Sequence, residues 1–120
     1  MNLDTLRAYL LNRKGVTEET PFGPETLVFK VKDKMFALVA WQESPLRMTL
    51  KCEPDLAVTL RNQYPAITPG YYMNKNHWNT LTLDGSIPQT EVLGMIDTSY
   101  QLVVRGLKKA ERQALEAEQG

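Results

Sequence analysis

The sequence has few of the residues from which most active sites and metal centres are built. Cys52 is the only cysteine and His77 the only histidine, which excludes an internal disulfide and a multi-cysteine metal site. The sequence shows no third partner for a Cys–His nucleophile pair. Gly15, Gly23 and Gly70 are isolated and do not form a phosphate-binding loop. We therefore expect a non-enzyme without a metal or cofactor, and with Cys52 as an inert buried thiol.

Long hydrophobic runs and an excess of one charge are also missing. The longest apolar stretch, residues 35–41, is much shorter than the about 20 residues of a transmembrane helix. The first residues contain no basic segment leading into an apolar run. These features predict a cytoplasmic protein that does not contact a membrane.

The formal net charge is zero, with 14 basic and 14 acidic residues, which argues against strong electrostatic binding of nucleic acid. The charges are unevenly distributed, however. Residues 26–83 carry seven Lys or Arg against four Asp or Glu, a net charge of +3. The sequence therefore predicts a modestly basic middle between acidic ends.

The first part of the chain predicts a helix followed by a loop. Leu3, Leu6 and Leu10 recur at helical spacing, and Gly15 ends the pattern. Residues 16–25 contain two prolines and Gly23, so we expect a loop there.

Three strands should follow as an antiparallel meander. Residues 26–32 alternate, residues 35–41 are apolar on both faces, and residues 46–51 alternate again. A two-residue turn at Asp33-Lys34 would place Val31 opposite Phe36 and Phe29 opposite Leu38. The outer face would then carry the apolar residues Met35, Val39 and Trp41.

The rest of the chain predicts a short helix from Pro54 to about residue 64, an irregular segment at 65–79 and a fourth strand at 80–83. A strongly amphipathic helix follows from residue 92 to 107. Residues 108–119 are helical with almost no apolar face. The order α-β-β-β-α-β-α predicts an α+β fold, an antiparallel sheet of about four strands with helices packed on one face. We expect one domain, residues 1–120, with residues 108–120 as an exposed C-terminal helical tail.

Three segments resemble the MmcQ/YjbR family. The most distinctive runs from Pro69 to Gly85 and contains Asn-Lys, one variable position and His-Trp at residues 74–78, followed by a strand and an Asp-Gly turn. The segments 51–54 and 96–100 resemble the family's strand-to-helix junction and its helix with a Ser-Tyr pair. The resemblance covers roughly residues 3–107. It implies a frataxin-like fold, described as a double wing, and DNA binding.

Two groups of residues are candidates for contact with DNA. Outward-facing cations on the sheet would bind phosphates, and the loop before the fourth strand would add base contacts, because Asn can pair with adenine and aromatic rings can stack on bases. The candidate residues are Lys30, Lys32, Arg47, Lys51, Asn74, Lys75, Asn76 and His77. So few cations predict weak, salt-sensitive binding.

A structural interpretation of the same loop is also open. Trp78 would fill the core, His77 would bond a backbone carbonyl and Asn74 would cap a turn. The lysines on the sheet would then serve only to prevent edge-to-edge pairing with other sheets.

The alternative function is a non-catalytic protein-interaction module. Its docking surface would be the predicted outer face of Met35, Val39 and Trp41, or the terminal helix. DNA and a protein are thus the two expected partners, and the sequence predicts no oligomeric state.

Overall fold

The computed structural model of the protein describes residues 1–70 and 73–118. Its helices and strands are, in chain order, α1 (Leu3–Leu11), β1 (Val16–Glu19), β2 (Thr26–Val31), β3 (Lys34–Ala40), β4 (Arg47–Lys51), α2 (Pro54–Gln63), β5 (Ile67–Pro69), β6 (Trp78–Thr82), α3 (Gln89–Arg105) and α4 (Lys109–Ala117).

The strands form one antiparallel sheet in the order β1-β2-β3-β4-β6-β5. The α+β class and the antiparallel sheet are confirmed, but the predictions of about four strands and of the order α-β-β-β-α-β-α were wrong. Strand β1 lies in the predicted loop 16–25, and β5 lies in the predicted irregular segment 65–79. Both are short edge strands, of four and three residues. Strands this short show no clear alternation of apolar residues in the sequence, so the sequence pattern does not reveal them.

The turn between β2 and β3 lies one residue earlier than predicted. Lys32 and Asp33 have φ values of 47° and 66°, the left-handed conformation that a two-residue hairpin turn requires at both central positions. Val31 therefore pairs with Lys34 rather than Phe36, and Leu38 pairs with Val28 rather than Phe29.

Strand β3 also contains an extra residue. Phe29 pairs with Ala37 and Lys30 with Met35, so Phe36 is inserted between two consecutive pairs as a β-bulge. Phe36 and Ala37 are both buried, which is consistent with the reversal of side-chain alternation at this point.

The predicted outer face of Met35, Val39 and Trp41 does not exist as one surface. Val39 has no exposed area and belongs to the core, because the bulge and the shifted turn change which side chains of β3 face the helices. Trp41 lies beyond the end of the strand, where its Nε1–H donates to the carbonyl oxygen of Pro24 at 2.7 Å.

The helices α1, α2 and α3 pack on one face of the sheet, as predicted, and we call this the covered face. The core lies between them. Its largest fully buried members include Leu6, Leu10, Phe29 and Ile96.

Helix α4 is exposed over most of its length, as the sequence predicts, but Leu115 is only 4% exposed and joins the core. The helix is therefore anchored to the domain. Residue 119, the last of the predicted helical stretch, lies outside the described residues. None of the helices in the described parts of the chain is long and apolar enough to cross a bilayer.

Candidate nucleic-acid interface

The face of the sheet opposite the helices carries a groove, and we call this side the open face. On β4, Met48 and Leu50 point into the core, so Arg47, Thr49 and Lys51 point to the open face. The groove has a volume of about 500 Å³. Its lining comes from strands β2, β3, β4 and β6 and from the segments that flank the sheet, and comprises Phe22, Thr26, Leu38, Ala40, Glu43, Arg47, Thr49, Gly70, Met73 and Thr80.

Threonine side chains make up part of the groove's floor. The hydroxyls of Thr49 and Thr80, on adjacent strands, lie 2.9 Å apart in a hydrogen bond. Leu38 lies beside Thr49 in the paired register. The floor is therefore partly apolar and carries hydroxyl groups, which suits a ligand with both apolar and polar parts.

Arg47 and Phe22 give the groove a cation and an exposed aromatic ring. The Arg47 side chain is 45% exposed, and its Nη1 lies 3.8 Å from the Glu43 carboxylate, a distance beyond a normal hydrogen bond. Phe22 is 60% exposed. A guanidinium held only loosely by its acid can exchange that contact for a phosphate or a base.

Two of the predicted cations are compensated by carboxylates. Lys30 lies 3.5 Å from Glu19 on the neighbouring strand, and Lys32 lies 2.6 Å from Glu118, beyond the end of α4. These two ion pairs neutralise part of the predicted basic patch. Lys30 and Lys32 therefore add little attraction for a phosphate backbone.

Lys51 remains on the open face with Arg47. The two residues are four positions apart on one strand, about 13 Å at the usual rise per residue. Within residues 1–70 and 73–118 no carboxylate lies within 4 Å of the Lys51 ammonium group. Arg47 and Lys51 thus lie towards the two ends of β4, on the face that carries the groove.

The predicted loop is arranged mainly by its own backbone. Asn74 Oδ1 accepts the backbone N–H of Asn76 at 3.0 Å, and the Asn74 carbonyl accepts the N–H of His77 at 3.0 Å. The turn-capping interpretation of Asn74 is therefore confirmed. The carbonyl of Lys75 accepts a hydrogen bond from Arg61 Nη1 at 3.4 Å, which ties the loop to α2.

The side chains of the loop divide into two groups. Trp78 is buried, as the structural interpretation predicts. Asn74, Lys75 and Asn76 are exposed and His77 is half-buried. Tyr71 and Tyr72, which precede this turn in the resembling motif, lie outside the described residues. Met73, next to the turn, lines the groove, so the loop forms one border of it.

Sequence reasoning missed Phe22, Thr26 and Met73 as groove residues. Phe22 lies in the Pro- and Gly-rich segment that was predicted as a loop, and no periodicity marks it. An aromatic residue between Pro21 and Gly23 is a usable signal, because a large ring in a loop is often exposed to a ligand. Thr26 and Met73 have no comparable signal.

Cys52, the only cysteine of the sequence, is a buried free thiol. Burial raises the pKa of the Cys52 thiol, so it stays protonated at neutral pH, as expected of a structural cysteine. Among the residues that the structure describes, no three His, Cys, Asp or Glu side chains are grouped to hold a metal ion.

The protein is thus a small α+β domain. Helices cover one face of its sheet, and the other face carries a groove large enough for a small ligand. Comparison with known proteins identifies the family of this chain. The chain belongs to the YjbR family, whose model matches residues 11–102, and the resemblance found in the sequence is confirmed. Helix α4 lies beyond the matched range.

Relatives of this chain include two proteins from Escherichia coli. The uncharacterised protein YjbR of strain K12 is 33% identical over 115 residues, which cover 96% of this chain and 98% of the relative. The uncharacterised protein YbdF of strain O157:H7 is 37% identical over 92 residues, 77% of this chain and 75% of the relative.

Solved structures share the fold. The crystal structure of the Deinococcus radiodurans protein DR2400 matches with a TM-score of 0.91 and 41% identity, covering 98% of this chain and 89% of the other. A crystal structure of a Pseudomonas syringae protein matches with a TM-score of 0.73 and 29% identity, covering 85% and 98%. The fold of this chain is thus shared with proteins from Deinococcus radiodurans and Pseudomonas syringae.

Proposed function

We propose that this protein is a non-catalytic binder of single-stranded nucleic acid, which lies across the open face of the sheet. The observation that carries the proposal is the position of Arg47 in a groove that also contains the exposed ring of Phe22 and a threonine floor. A base can stack on Phe22, while Arg47 and Lys51 contact the backbone.

A single strand suits this surface better than a duplex. The groove accepts a flat, unpaired base, whereas direct reading of a duplex usually places a protruding helix or ribbon in the major groove. Two of the sheet's cations are compensated, so the phosphate contacts of the sheet come from Arg47 and Lys51. At about −0.7 per contact for a single strand, the slope of log affinity against log salt should be about −1.4.

The alternative of a protein-interaction module has lost one of its two predicted surfaces, because Val39 is in the core. Helix α4 is attached to the domain through Leu115, but most of its residues are exposed. The groove lies on the open face, and its cation favours an anionic ligand.

The test is fluorescence anisotropy with labelled oligonucleotides (single-stranded DNA, single-stranded RNA and duplex DNA) at about 50 and 200 mM salt. Single strands should bind more tightly than the duplex and lose affinity with salt. Arg47→Glu should weaken binding about tenfold and flatten the salt slope by about 0.7.

Arg112→Glu provides the control. Arg112 is exposed on α4, so this substitution makes the same charge change outside the groove. It should change the affinity much less than Arg47→Glu does. Absence of binding at low salt, or equal losses in the two variants, would overturn the proposal.

A further inference from the structure

A second cavity lies on the covered face, between α2 and α3. It has a volume of about 270 Å³. Leu50 and Leu81 of the sheet contribute to its lining, together with Leu56 and Leu60 of α2 and Met95 of α3. The two helices thus leave a cleft above the sheet instead of closing over it, and most of its surface is apolar. We call this the interhelical cleft.

Gly94 gives the cleft its width on the side of α3. A glycine within a helix costs about 1 kcal/mol relative to alanine, and Gly94 lies near the start of the 17-residue α3. Its φ is not positive, and a Cβ atom built there would meet nothing within 4 Å. Neither backbone conformation nor a close neighbour requires this glycine, so its clearest structural consequence is an open cleft.

The exposure of α2 points to the same site. Leu56 is 44% exposed and lines the cleft, with Leu60 one turn later on the same side of the helix. Val58 is equally exposed, at 48%, but is not part of the lining. A ligand in the cleft would cover Leu56 and leave Val58 in water.

Two of the polar residues around the cleft, Asn79 and Cys52, offer little to a polar ligand. The Asn79 amide is already engaged, since its Oδ1 accepts from Arg61 Nη1 at 2.9 Å and its Nδ2 donates to the Ala57 carbonyl at 3.2 Å. Cys52 presents a neutral buried thiol, which behaves as a small hydrophobic group. Glu91 and Thr98 add further polar side chains to the lining. Lys51 borders the cleft at the end of β4, where strand alternation points its side chain to the open face.

We propose that the interhelical cleft binds a small apolar molecule, an aromatic compound of about ten heavy atoms. The size follows from the volume, because a cavity of about 150 Å³ lined by apolar side chains holds benzene, and 270 Å³ has room for two fused rings. The cleft lies on the opposite face of the sheet from the groove, so this proposal does not depend on nucleic-acid binding.

Indole is the probe for the test, with the full-length ¹⁵N-labelled protein observed by two-dimensional NMR. Saturable shifts should be confined to amides around the cleft, in α2, in the first half of α3 and at the end of β4. Gly94→Leu, which places a side chain in the empty space, should weaken indole binding by more than about tenfold (1.4 kcal/mol). Gly94→Ala should retain binding, because a single methyl group fills little of the cleft.

Leu56→Asp and Val58→Asp form a matched pair at similar exposure on one helix. The first should abolish indole binding and the second should leave it unchanged. The proposal is overturned if indole causes no saturable shifts, or if both aspartates act alike. It is also overturned if indole does not bind and Leu56→Asp instead abolishes self-association in sedimentation experiments, since the cleft would then be a protein interface.

Discussion

The hydroxyl of Ser99 donates a hydrogen bond to the carbonyl oxygen of Phe36 at 2.6 Å. Phe36 is the extra residue of the β3 bulge, which the regular ladder leaves unpaired. The same hydroxyl accepts the backbone N–H of Lys51 at 2.9 Å. Ser99 is fully buried, so one side chain of α3 connects the helix to two adjacent strands.

Ser99→Ala should destabilise the protein by about 1–3 kcal/mol, because it leaves the carbonyl of Phe36 and the N–H of Lys51 without their buried partner. Urea unfolding followed by circular dichroism measures the change. Thr98→Ala is the control, since Thr98 is the adjacent residue on the same helix and is only half-buried. Equal effects of the two substitutions would show that the Ser99 bridge is not important for stability.

The sequence predicts the parts of the fold that local patterns determine. The helix start at Pro54, the strongly periodic α3 and the alternating β4 agree with the structure. The bulge at Phe36 and the turn at Lys32-Asp33 were missed, because they depend on long-range contacts with α3 and on positive φ values in residues other than glycine. A one-residue error there placed the Val39 side chain on the outer face of the sheet instead of in the core. The predicted surface of Met35, Val39 and Trp41 was wrong for this reason.

The candidate site was predictable only in part. Arg47 and Lys51 follow from the alternation of β4, and the turn at Asn74 from its residue type. The carboxylates that compensate Lys30 and Lys32 come from Glu19 and Glu118. The first lies on a strand that was predicted as a loop and the second is 86 positions away, so residue types alone do not reveal these pairs.

Gly15 should be required for the docking of α4. Its φ is +73°, and a Cβ atom there would lie 2.5 Å from Leu115 Cδ1. Gly15→Ala should therefore combine backbone strain of about 1–2 kcal/mol with displacement of Leu115. Thermal unfolding measures the loss, and limited proteolysis should show faster cleavage in residues 106–118.

Gly85→Ala separates the two causes. Gly85 has a similar φ of +91°, but a Cβ atom there meets nothing within 4 Å, so only the strain is expected. An equal loss of stability in both variants, without faster cleavage for Gly15→Ala, would contradict the role of Gly15 in α4 docking.

The pair Arg7–Glu18 should make stability depend on pH in the acid range. Arg7 Nη2 lies 2.6 Å from Glu18 Oε2, and this hydrogen bond lowers the pKa of Glu18 below its usual 4.5. A carboxyl whose folded-state pKa is lowered stabilises the protein above its unfolded-state pKa and loses that contribution as the pH falls through the folded-state value.

Glu18→Gln should accordingly lower the urea midpoint at pH 7, and the difference from the wild type should shrink as the pH falls below 4.5. Glu116→Gln, at an exposed position on α4, should give little difference at either pH. A difference between wild type and Glu18→Gln that stays constant down to low pH would contradict the pairing.

Removal of Glu43 should strengthen the binding of single-stranded nucleic acid. Glu43 lines the groove and is the carboxylate nearest to Arg47, at 3.8 Å. Both side chains are about half exposed, and such pairs contribute about 0.2–1 kcal/mol. Glu43→Gln should therefore raise affinity about two- to fivefold at low salt, an effect of the same size, and this gain should diminish at about 200 mM salt.

Glu91→Gln makes the same charge change in the interhelical cleft, on the covered face. It should alter the anisotropy titration much less, because the sheet separates Glu91 from the groove. Unfolding midpoints of both variants should stay near that of the wild type, so that a change in affinity reflects the groove rather than the fold. If Glu43→Gln binds no more tightly than Glu91→Gln, Arg47 does not contact the nucleic acid, and the phosphate contacts must come from elsewhere on the protein.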